Sequence, residues 1–117
     1  MSDKRADAAP TRRTVTQQVF DRDGGCLLAP VVKVHIPPCH GKLTPHHIRK
    51  AGQGGTWTIV NIVALCARHN DWLEDLDGML YGRPAGLICL RTDTLEACWD
   101  RLAAAGLVTY NPQGAPL

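Results

Sequence analysis

Two adjacent imidazoles, His46-His47, stand between Pro45 and Ile48; Asn61 follows His47 by fourteen residues and Asn70 follows it by twenty-three. A neutral imidazole, with an ordinary pKa near ~6.5, accepts a proton at pH 7 and can serve as a general base. One imidazole nitrogen and one amide oxygen can hold a hard cation while leaving positions open for water and phosphate oxygens. Glu74 lies four residues after Asn70; on one helix face it would offer a third ligand, directly or through water, or else a solvated carboxylate. Successive strand residues point to opposite sides. His46 and His47 therefore need either a local twist or two distinct jobs, one toward a cation and one toward an attacking water. A histidine pair by itself is equally well a pair of surface or core-edge residues.

These residues need elements to position them. At 117 residues the chain suits one domain. Hydrophobic residues make up 44% but aromatics only 5%, so the core is poor in large side chains and calls for a staple. Residues 11–110 form the expected domain, between a disordered tail over residues 1–10 and a Pro/Gly-rich tail over residues 111–117. Val15, Val19 and Phe20 predict a helix over 11–22, stopped by Gly24 and Gly25. Residues 26–42 read as an irregular loop with one short strand through Val31–Ile36. Leu43 to Ile48 reads as a strand, 49–58 as a glycine-rich loop, and Ile59 to Leu65 as extended chain ending at Cys66. A helix follows from Ala67 to Asp77, with Trp72, Leu73 and Leu76 as its buried stripe. Leu87–Leu90 reads as a short buried strand or turn. Asp93 and Glu96 form a capping-box pattern for a last helix ending near Gly106, with Leu95, Cys98, Trp99 and Leu102 on its apolar face.

Taken together, Arg22-Asp23-Gly24-Gly25-Cys26, His46-His47-Ile48, Gly54-Gly55, Asn61-Ile62-Val63-Ala64-Leu65-Cys66 and Asn70-Asp71-Trp72-Leu73-Glu74-Asp75 resemble the HNH nuclease family, also called His-Me finger or ββα-metal nucleases. The resemblance covers roughly Asp21 to Asp77 and is closest to small phage-type members. It implies an α+β fold: a small ββα-metal core with a structural zinc site and flanking helices. It also implies that His46 binds the catalytic cation, that His47 is the general base, and that Asn61 braces the active-site loop. Asn70 would be the second protein ligand, with Glu74 joining it only if the helix spacing brings its carboxylate to the ion. The third motif position carries Asn rather than His, an H-N-N version of the pattern. The implied ion is Mg2+ or another divalent ion such as Mn2+ or Ni2+.

Many members of that family hold a structural zinc between two Cys-x2-Cys knuckles. Here Cys66-x2-His69 supplies one half-site, and Cys26 and Cys39, separated by twelve residues, supply the other. A Cys3His set is tetrahedral and closed, as structural zinc requires. His40 is a substitute for Cys39, although thiolate is the better ligand. Five cysteines, an odd number, do not suggest a simple disulfide framework. Cys89 and Cys98 sit in apolar stretches and read as core. His35 reads as a loop residue without a special role.

The expected activity is metal-dependent DNA endonuclease chemistry, as a nick or a double-strand break, hydrolysing phosphodiester bonds with a histidine base. Net charge is only +2, yet residues 1–50 carry nine Lys/Arg against four acids, and residues 51–117 four against seven. A polyanion would favour the first half. Lys42, Arg49, Lys50 and Arg68 flank the motif and together make a phosphate-contacting rim. Trp57 contacts DNA or simply packs. Expected partners are DNA and, for a phage-encoded protein, the terminase and packaging proteins, with the chain a monomer or homodimer. No secretory leader or apolar run of membrane length is evident, so the expected location is the cytoplasm, of the host cell if phage-encoded. The alternative is a catalytically inactive, zinc-containing DNA-binding or packaging-machinery adaptor module.

Overall fold

The computed structural model describes residues 11–117; the tail expected over residues 1–10 lies outside them. Helix α1 spans Arg12–Asp23, capped by Thr11, whose hydroxyl accepts from the Thr14 N–H, and closed by Gly24. Strands β1 (Leu43–His47) and β2 (Ile62–Cys66) pair antiparallel, with His46 opposite Val63 and His47 opposite Ile62. Helix α2 (Ala67–Trp72) follows β2 without a break. Helices α3 (Leu76–Ala85) and α4 (Leu95–Ala104) complete a small α+β molecule.

β2 is buried along its whole length, which its run of β-branched and aliphatic residues allows. Its two faces serve two cores. Val63 and Leu65 join Ile48, Trp72, Leu73, Leu87, Cys98, Trp99 and Leu102. Ile62 and Ala64 pack on Val15 and Val19 of α1, with Trp57 and Ile59 at the edge. Directly paired residues share a face of the sheet, so His46 belongs to the first core and His47 to the α1 side.

Four sequence expectations change. Val31–Ile36 forms loop and turn rather than strand. The helix after Cys66 stops at Trp72 instead of Asp77, and a second helix, α3, begins at Leu76. Two glycines and Pro84 hid α3 from any propensity argument. Gly78 is there because α3 lies against the end of α2: a Cβ on it would sit 1.9 Å from the Trp72 carbonyl oxygen. The cap of α4 is Thr94, whose hydroxyl accepts from Ala97 N–H; Asp93 instead pairs with Arg101 at 2.8 Å. Finally, residues 111–117 fold back on the domain. The Asn111 side chain accepts from the N–H groups of Gln113 and Ala115, and the Pro112 carbonyl receives Arg22.

That last contact belongs to a buried polar hub. Arg22 also donates to the carbonyls of Ile59 and Ile62 and pairs with Asp23 at 2.7 Å. Asp23 in turn accepts from Ala64 N–H and the Tyr110 hydroxyl. Every oxygen and nitrogen of the pair finds a partner, as a buried ion pair requires. The hub ties α1, β2 and the C-terminal segment together.

Candidate metal centre and histidine site

Cys66 ends β2 and caps α2, and His69 lies one turn into that helix. The loop after α1 brings Cys26, and the loop before β1 brings Cys39. The loop is held by Ala67 N–H on the Lys42 carbonyl and Arg68 N–H on the His40 carbonyl. The four ligand atoms lie within 4.8 Å of one another. His69 Nδ1 stands 3.2, 3.6 and 3.2 Å from the sulfurs of Cys26, Cys39 and Cys66. In a tetrahedral zinc site an imidazole nitrogen and a thiolate would lie roughly 3.5 Å apart. The other ring nitrogen, Nε2, donates to the Pro37 carbonyl at 2.6 Å. That bond leaves the Nδ1 lone pair facing the sulfurs, the tautomer a metal needs. The set could hold a zinc ion. Cys39, not His40, completes it.

The thiols already divide their protons unequally. Burial, with the other two thiols, pushes Cys39 up to about 12, and burial also raises Cys26. Burial pushes Cys66 up too, but backbone N–H groups of His69 and His40, together with hydrogen bonds from the other two thiols, bring it below the ordinary thiol value.

Across β1, His46 is 7% exposed. Its Nε2 lies 2.7 Å from the Leu87 carbonyl and its Nδ1 3.2 Å from Asn70 Oδ1. The amide cannot be turned round at will, because Asn70 Nδ2 donates to Thr44 Oγ1, which itself donates to the Leu65 carbonyl. His46 therefore faces two acceptors, and a neutral ring has one N–H to give. Burial lowers its pKa and opposes the doubly protonated form that would serve both.

His47 takes the opposite face. Its ring meets Trp57 edge-on, centroids 4.8 Å apart, and its Nε2 is buried without a hydrogen-bond partner. Burial, then the nearby Arg12 cation, lowers its pKa. No hydrogen bond joins it to His46 or Asn70. Asn61, fully buried, spans the intervening loop. Its Oδ1 accepts from Arg49 N–H, and its Nδ2 donates to the carbonyls of Arg49 and Thr56. This closes the loop from both ends and holds Trp57 beside His47.

The remaining candidates separate. Glu74 lies beyond the end of α2, not on one helix face with Asn70, and pairs with Lys50 at 2.7 Å. Arg49 turns inward, donating to the Asp93 carbonyl and the Cys89 sulfur. Lys42 and Arg68 are exposed. Arg68 lines an open groove of about 780 Å3 with His35, Pro37, Asp71 and Trp72, away from His46 and His47. Cys89 and Cys98 are core residues. Sequence reasoning missed the carbonyls of Leu87 and Pro37, which carry no side-chain signal, and Thr44, which a pattern of conspicuous ligand types passes over.

No family model, curated protein or solved structure matches the chain. No described helix is long and apolar enough to cross a membrane.

Proposed function

We propose that this protein is a small HNH-type endonuclease that hydrolyses DNA phosphodiester bonds with a divalent cation and a histidine base, on a core stabilised by zinc. The observation that carries the reading is the pairing of His46 Nδ1 with Asn70 Oδ1 at 3.2 Å. With Nε2 donating to Leu87, both atoms present lone pairs to each other, and a cation relieves that conflict. Two ligands of a six-coordinate ion at about 2.1 Å lie roughly 3 Å apart, so the pair fits such an ion.

When bound, the ion would supply charge stabilisation for the transition state and the leaving oxygen. The protein's own part is positional. Leu87 and Thr44 orient the two ligand side chains, and Asn61 holds the loop that places Trp57 beside the base. His47, whose pKa burial and Arg12 lower, would take the proton from the attacking water from the other face of β1.

The enclosure of His46, under Leu87 and 7% exposed, favours a second reading: a zinc-containing DNA-binding or packaging adaptor that does not cut. Supercoiled plasmid incubated with Mg2+, Mn2+ or Ni2+ separates the two. The nuclease produces nicked or linear DNA, and His47→Ala lowers the rate by roughly 10²–10⁴-fold. DNA that is retarded but never nicked, with every ion, rejects catalysis.

A further inference from the structure

The sequence pointed to a phosphate-contacting rim of Lys42, Arg49, Lys50 and Arg68. The fold dismantles it: Arg49 is spent inside on Asp93 and Cys89, Lys50 is paired with Glu74, and Arg68 lines the groove on another side. Positive charge collects elsewhere. The first turn of α1 begins with Arg12 and Arg13, both exposed, and contains no acid. Cations at a helix N-terminus face the positive end of its dipole and oppose helix formation. Arg12 lies over the Trp57 ring, 5.4 Å from its centroid, and neither arginine makes a salt bridge among the described residues. His47 meets the same Trp57 ring edge-on, and its Nε2 is enclosed without a partner.

We propose that Arg12, Arg13 and Trp57 form the surface that binds the phosphate backbone of duplex DNA, on the His47 side of β1. The choice of DNA as the polyanion rests on the nuclease reading above. A phosphate over Arg12 relieves the unfavourable charge at the helix start, and the Trp57 ring lies beneath the guanidinium. Bound there, the backbone runs past His47 and approaches the sheet from the α1 side. Such contacts position the duplex without reading its sequence.

The test is fluorescence anisotropy of a labelled 20-base-pair duplex with the zinc-loaded protein, across a salt series and without added Mg2+ or Mn2+. Arg12→Gln/Arg13→Gln is compared with Lys42→Gln/Arg68→Gln, and the same preparations are assayed for plasmid nicking. The Arg12/Arg13 variant is expected to bind roughly 10-fold or more weakly at low salt. The slope of log K against log[salt] should fall by about two, one per lost phosphate contact. The Lys42/Arg68 variant should bind within about twofold of wild type. Wild-type binding that survives loss of both arginines with its slope unchanged overturns the proposal, whether or not the protein nicks DNA, as does a wild type that binds no duplex. Binding that depends on Arg12 and Arg13 without nicking keeps this surface and rejects the nuclease reading.

Discussion

At the scale of single residues, the environment of His46 rather than its presence gives it a role. Any histidine offers two nitrogens, but this one is sandwiched between a carbonyl oxygen and an amide oxygen held in place by Thr44. Burial holds its pKa below the ordinary 6.5, so the native state binds it neutral while the unfolded chain protonates it. The sign of the linkage follows: stability is complete above about pH 6.5 and falls as acid drives proton uptake by the unfolded state. His47 adds in the same direction. The urea midpoint of the zinc-loaded protein should therefore decline between about pH 6.5 and pH 5, and less steeply in His46→Gln. Equal slopes for wild type and variant would mean that His46 is not held neutral by the fold.

At the scale of elements, α3 shows packing overruling propensity. Ten residues including Gly78, Gly82 and Pro84 make a poor helix in isolation. The helix persists because its glycines admit close approach: Gly78 to the Trp72 carbonyl and Gly82 to Leu73 and Ile88. The two effects predict opposite outcomes for Gly78→Ala. Helix propensity alone would stabilise by about 1 kcal/mol. A methyl 1.9 Å from a carbonyl oxygen forces α3 away from α2, and overpacking of this kind costs roughly 1–3 kcal/mol. We expect net destabilisation in urea unfolding, with Gly52→Ala, where nothing lies within 4 Å, as the neutral comparison. A stabilised Gly78→Ala would refute the contact. The displacement would also reach Leu87, two residues beyond the end of α3 and bonded through its N–H to the Gly82 carbonyl, and through it His46.

At the scale of the whole molecule, the Cys3His cluster joins parts of the chain that the sheet alone leaves loose. It gathers the loop after α1, the loop before β1 and the start of α2. The core has few aromatic side chains, and structural zinc contributes on the order of 10 kcal/mol to folding in small domains. Chelation should abolish the cooperative thermal transition and the near-ultraviolet circular dichroism of Trp72 and Trp99. Cys66→Ser should purify without stoichiometric zinc, whereas Cys98→Ser, altered in the core away from the cluster, should retain it. A chelated protein that melts at the original temperature would show that the cluster carries no structural metal.

Much of this was legible in the linear chain because it depends on local rules. The apolar spacing of Val15 and Val19, the glycines after Asp23, the β-branched run into Cys66 and the Cys66-x2-His69 step each specify an element or a half-site from neighbours a few residues apart. The four side chains of the Cys3His cluster could be chosen by type. What the tertiary structure alone decided were the contacts made by groups without side-chain identity or far apart in sequence. Carbonyls of Leu87 and Pro37 select the histidine tautomers, and a carbonyl at Trp72 makes room only for glycine. The sheet register sends His46 and His47 to opposite faces, and the fold turns Arg49 inward to Asp93 while leaving Arg12 and Arg13 of α1 exposed. Backbone oxygens are the same in every residue, so no sequence pattern marks which of them a distant imidazole will meet.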